Sequence, residues 1–144
     1  MSGAPLHAGC VAIGGRAVLI SGASGSGKSD LAMRLIDRGA ILVADDYVSL
    51  RAEAGRIIAA APAAIAGRIE LRGVGLLNLP YLPEAPVALV VDLDLAPERL
   101  PYPMLRDYCG IALPGIGLNA LEPSAAIKVE AALLMHGVSP PCLA

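Results

Sequence analysis

The sequence predicts an α/β domain in which a phosphate loop is set in a mostly β core, with one helix directly after the loop and another near the C-terminus. Three observations carry this. Gly22–Ser29 matches G-x-x-x-x-G-K-S/T without deviation, between an apolar run and an amphipathic one. The other apolar runs are short and punctuated by 16 Gly and 12 Pro, which favours strands and turns over helices. Few stretches repeat apolar residues at helical spacing, fewer than an alternating doubly wound fold requires.

Val11–Ile13 and Ala17–Ile20 flank Gly14 and Gly15, so they read as a hairpin or as consecutive strands. Ser21–Ser29 is the loop. Asp30–Arg38 reads as a helix, because Leu31 and Leu35, like Ala32 and Ile36, are one turn apart and Gly39 supplies the stop. Ala40–Ala44 reads as a buried strand ending in Asp45 and Asp46, expected to return parallel beside the loop-bearing strand with its C-terminal end at the phosphates. Val48–Leu50 and Arg56–Ile58 read as strands, Ala59–Ala66 is ambiguous, and Ile69–Leu71 is strand-like and leads into Gly73, Val74 and Gly75. Pro86–Leu95 is the most apolar strand and holds Asp92 and Asp94. Pro97–Pro114 holds four prolines and reads as irregular or edge structure. Pro123 and Ser124 open a last helix, Ala125–His136, stopped by Gly137, and Ser139–Ala144 reads as a loose tail.

No linker or repeat divides the chain, so residues 1–144 are expected to form a single domain. With 56 % hydrophobic and 17 % charged residues the chain is globular rather than disordered. The net charge of −2 leaves no basic excess for nucleic acid. Phe and Trp are absent, so aliphatic side chains must fill the interior. Cys10, Cys109 and Cys142 form no C-x-x-C pair, and two histidines complete no zinc pattern, so a reducing cytoplasm is expected. No uncharged apolar run reaches the roughly 18 residues of a membrane span, and the start lacks the basic region of a signal peptide.

The loop carries the clearest chemistry. Its glycines let the backbone of Gly22, Ala23, Ser24, Gly25, Ser26, Gly27, Lys28 and Ser29 turn amides toward a phosphate chain. Lys28, read as an exposed loop side chain, would reach the β and γ oxygens of that phosphate chain, and the Ser29 hydroxyl would ligate Mg²⁺. Of Asp45 and Asp46, one could bind metal or water and the other act as a base, or both could be solvated turn residues. Asp92 and Asp94 are the rival acids. Glu70 and Arg72 share a strand face, as metal ligand and phosphate clamp or as a surface ion pair. His7 and His136 by themselves read as solvated or helix-end residues.

Gly22–Ser29, then Arg38 and Gly39 leading into Leu42–Asp46, then Ile69–Gly75, together resemble the catalytic domain of HPr kinase/phosphorylase. The likeness runs from about His7 to Arg99 and continues weakly through the last helix. It implies an HPr kinase/phosphoenolpyruvate carboxykinase-like fold and an ATP- and Mg²⁺-dependent serine kinase acting on the phosphocarrier protein HPr. It also implies a homo-oligomer, a hexamer. His7 stands where the family carries an active-site His, and Asp46 where it carries its proton acceptor. Glu70 matches the Glu of the family's I-E-(I/L)-R-G-(L/V)-G run, its second Mg²⁺ ligand beside Ser29. Glu98, Arg99 and Leu100 resemble an acidic-Arg-Leu run whose Arg supports the reaction.

The chain opens directly on the catalytic part, like the family's short form without its N-terminal domain. The family's P-V-x-P-G-R-N loop, linked to dephosphorylation, is replaced by Leu113–Asn119, which has no Arg. A kinase with weakened reverse phosphorolysis is therefore expected. The alternatives are a small-molecule P-loop kinase, for which Arg99 and Arg106 make a thin lid, and a non-catalytic nucleotide-binding switch, for which the base-reading N-K-x-D run is missing.

Overall fold

A computed structural model describes residues 4–140. Cys142 and the end of the expected loose tail lie outside them. The elements are β1 (Leu6–Ile13), β2 (Arg16–Ser21), α1 (Lys28–Asp37), β3 (Ile41–Ala44), β4 (Tyr47–Glu53) and β5 (Arg56–Ala60). A 3-10 turn at Ala63–Ile65 follows, then β6 (Arg68–Leu71), β7 (Gly75–Asn78), β8 (Ala85–Asp92), β9 (Met104–Tyr108), β10 (Ile111–Gly117) and α2 (Ala125–His136).

Eight strands run in the order β2-β1-β4-β5-β8-β10-β9, with β3 on β1 and β2 closing onto β8, while β6 and β7 form a separate hairpin. The β1–β2 hairpin turns through Gly14 and Gly15 at φ 57 and 84, the paired positive angles that a two-residue turn with strand-like twist demands. Side chains alternate across the sheet. Val18 and Ile20 of β2 face one core with Leu31 and Leu35 of α1 and Val129 and Leu133 of α2. Ala17 and Leu19 face a second core with Val43, Val48, Ile57 and Val90 under the β4–β5 hairpin. This two-sided burial explains why β2 and β8 read as continuous apolar runs. The largest fully buried side chains are Leu, Ile and Val, as a chain without Phe or Trp requires.

Two expectations are corrected. β3 does not lie beside the loop-bearing strand. It pairs antiparallel with β1, and the strand parallel to β2 is β8. The β1–β2 hairpin takes one edge of β2, and the more apolar β8, buried on both faces, takes the other. Two antiparallel steps still leave β3 pointing the same way as β2, so Asp45 arrives at the loop's end of the sheet. The Pro97–Pro114 stretch is not all irregular or edge, since β9 is the edge and β10 sits inside it against β8. Pro114 is tolerated because the β8 ladder begins only at Gly115. The ambiguous Ala59–Ala66 splits between the end of β5 and the 3-10 turn, and β7 completes a hairpin the sequence did not disclose. Gly39 ends α1 at φ 111 as expected, but Gly137 closes α2 at φ −65. It is a glycine for space, because a Cβ there would stand 2.5 Å from the Leu133 carbonyl oxygen.

Candidate active site

The loop leaves β2 and enters α1 through Gly27, whose φ of 98 costs an L side chain strain but glycine none. Gly27 has no capping side chain, so the first amides of α1 keep their donors for an anion at the positive helix end. Ser24, Gly25, Gly27, Lys28 and Ser29 line a cleft of about 790 Å³, while Gly22, Ala23 and Ser26 are not among its lining residues. Lys28 is not exposed. It is 8 % accessible, and its Nζ donates to the carbonyls of Gly22 at 2.7 Å and Ala23 at 3.0 Å, because the loop curls around the ammonium.

Asp45, 6 % accessible, is the other buried charged residue among those described. Charged side chains are seldom buried unless paired, so two at one site mark it. The Ser29 hydroxyl donates to Asp45 Oδ1 at 2.7 Å, and the Glu70 amide donates to Oδ2 at 3.1 Å. Asp45 thus ties the loop helix to β6 and aims both oxygens at fixed partners. Asp46 follows in a left-handed turn at φ 69, with the Tyr47 amide reaching back to the Asp45 carbonyl at 2.8 Å. That reversal sends Asp46 outward, where Oδ1 lies 3.1 Å from His7 Nε2. β1 brings His7 there by pairing it with Tyr47, whose ring centroid is 5.2 Å from the imidazole.

The cleft therefore gathers His7, Lys28, Ser29, Asp45, Asp46, Glu70 and Arg72. It does not include Arg99, which lines a second cavity of about 590 Å³ beside α2, next to Ile116 and His136. Leu113–Asn119 is also absent from the cleft, and Leu113, Ile116 and Leu118 are buried in the cores. Arg106 is bound to Asp92, which pairs with Ser21 at the root of the loop but does not line the cleft. Burial pushes the Asp92 carboxyl up, but the hydrogen bond from Arg106, the Asp94 amide and the guanidinium charge outweigh it and hold it below its ordinary value. The same bond raises Arg106.

Two contributors were missed or left open by the sequence. Asp45 was one of an undivided pair, and only the fold shows which member is buried against Ser29. Arg72 forms no ion pair with Glu70, contrary to the surface-pair alternative, and both side chains face the cleft. Their i, i+2 spacing was the available signal, although β6 ends at Leu71 and Arg72 opens the turn after it.

The residues fit a nucleotide and Mg²⁺. Ser29, Asp45 and Glu70 offer only oxygen, which suits a hard cation. No group of three or more His, Cys, Asp or Glu able to hold a metal occurs among the described residues.

A family model, the HPr serine kinase C-terminal domain, matches residues 2–83. HPr kinase/phosphorylase of Geobacillus thermodenitrificans is 41 % identical over 103 residues, covering 65 % of this chain and 33 % of that protein. The same-named protein of Halalkalibacterium halodurans is 38 % identical over 117 residues, covering 74 % of this chain and 38 % of its own length. The chain thus spans about a third of the curated relatives it matches. The solved HPr(Ser) kinase/phosphatase of Coxiella burnetii superposes with a TM-score of 0.79 at 28 % identity, over 93 % of this chain and 96 % of that one. The family match includes the loop, both acids and Glu70, and it ends before Arg99.

Proposed function

The chain belongs to the family of HPr serine kinase C-terminal domains, and from that premise we infer that it is a kinase transferring the γ-phosphate of ATP to a seryl hydroxyl of an HPr-type phosphocarrier protein in the cytoplasm. The observation that carries this reading is the division of labour at the end of β3: buried Asp45 on Ser29, exposed Asp46 on His7. The loop amides and Lys28 bind and orient the β and γ phosphates. Ser29, Asp45 and Glu70 would hold Mg²⁺, which neutralises charge on those oxygens when bound. Asp46 stands at the mouth to accept the proton of the attacking hydroxyl, and His7 holds its carboxylate in place. Arg72 faces the region where transition-state charge develops, a part that the resemblance alone assigns to Arg99. A hexameric assembly, as the resemblance implies, could bring Arg99 of one copy toward the cleft of another.

The lack of an Arg in Leu113–Asn119 supports a forward kinase with weakened phosphorolysis. The test is incubation with γ-labelled ATP, Mg²⁺ and purified HPr. Acid-stable label on a serine of HPr is expected. Tight nucleotide binding with unlabelled HPr would favour a switch, and label on a small acceptor would favour a metabolite kinase.

A further inference from the structure

The acids at the end of β8 take no part in the chemistry above, yet one of them holds the phosphate loop. Asp94 Oδ2 accepts the Ala23 amide at 2.9 Å, a contact spanning 71 residues of chain. Asp94 is itself fixed by its own amide, which donates to Asp92 Oδ1 at 2.8 Å, while Asp92 Oδ2 is paired with Arg106 of β9. The Leu93 amide donates to the Ser21 carbonyl at 2.8 Å, locking the turn after β8 to the root of the loop. The Ala23 amide is thereby committed to Asp94, and Ala23 is not among the residues that line the cleft.

We propose that Asp94 positions the phosphate loop, with the Asp92–Arg106 pair as its anchor. The proposal rests on the nucleotide reading of the cleft and adds a residue outside it. Lys28 grips the carbonyls of Gly22 and Ala23 from inside the loop. A phosphate competes for that ammonium, and when Lys28 turns to it the carbonyl contacts weaken. The Asp94 contact is made by the Ala23 amide and does not involve the ammonium, so it persists and the loop keeps its shape as the ligand binds. Arg106 balances Asp92, which limits the negative charge added near the phosphates to that of solvent-screened Asp94.

Two readouts test this on Asp94→Ala and Asp94→Asn: exchange of the Ala23 amide by NMR, and affinity for a fluorescent ADP analogue with Mg²⁺. Asp94→Ala should speed Ala23 exchange by about tenfold and weaken nucleotide binding by about fivefold, with kcat for transfer changed less than about threefold. Asp94→Asn retains an acceptor oxygen and should stay within about twofold of the unmodified chain on both readouts. Unchanged exchange and affinity in Asp94→Ala would overturn the proposal, as would an Asn variant as impaired as the Ala one. The amide readout needs no nucleotide. An unmodified chain that binds none would therefore defeat the kinase reading while exchange still decides this one.

Discussion

Asp46 and Lys28 separate what the loop holds from what the cleft does. Asp46→Asn removes a proton acceptor from an exposed side chain, so transfer should fall by about 10²-fold or more while nucleotide affinity and folding persist. Asp92→Asn, away from the cleft, should cost much less, and a larger loss there than at Asp46 would place the base on β8 instead. Lys28→Ala should reduce transfer below a tenth of the original rate and also loosen the loop, since the carbonyls of Gly22 and Ala23 lose their donor. Arg72→Ala should lower kcat about tenfold with little change in stability, being exposed and unpaired among the described ion pairs. An unchanged kcat would return the cation's role to Arg99.

At the level of elements, the strand and helix boundaries around the loop were legible because periodicity, glycine stops and the loop motif agree. α1 and α2 end within a residue or two of the expected positions, and β1 and β2 were placed but shortened. Strand neighbours were not legible. That β1 would insert between β2 and β3 depends on edge competition among apolar strands, which local sequence does not record. β10 was obscured by Pro114, whose missing donor matters only where a ladder runs past it. That the loop motif, Asp46 and Glu70 meet in one cleft was legible. The split between Asp45 and Asp46 rests on one left-handed residue at φ 69. Gly117 tests this packing view. A Cβ there would meet the Leu95 and Ala96 carbonyl oxygens at 2.5 and 2.8 Å, so Gly117→Ala should lower stability by about 1–3 kcal/mol in urea unfolding. A midpoint within error of the original would mean the segment after β8 gives way freely.

For the whole molecule, the Asp92–Arg106 pair ties β8 to β9 and links stability to pH. The folded carboxyl of Asp92 is held below its ordinary 3.8, so its contribution is complete above that value and is lost as pH falls below it. Urea midpoints followed from pH 5 to pH 3 should drop less steeply in Arg106→Gln than in the unmodified chain. Equal slopes would show that the pair does not contribute. No helix among the described residues is long and apolar enough to cross a membrane. At the level of the catalysed reaction, pyrophosphate release from phosphoseryl-HPr and inorganic phosphate should run at least about tenfold slower than forward transfer, for want of one charge-assisted phosphate contact. Comparable rates would show that Arg72 or another cation replaces the missing Arg.

The measurement that bears most directly on the account is the initial rate of label transfer from γ-labelled ATP to HPr, at saturating nucleotide, by Asp46→Asn beside the unmodified chain. The account predicts serine-linked label on HPr from the unmodified chain and a rate about 10²-fold or more lower from the variant. No transfer by the unmodified chain, or a variant rate within about tenfold of it, would contradict the assignment of Asp46 as the base of an HPr kinase.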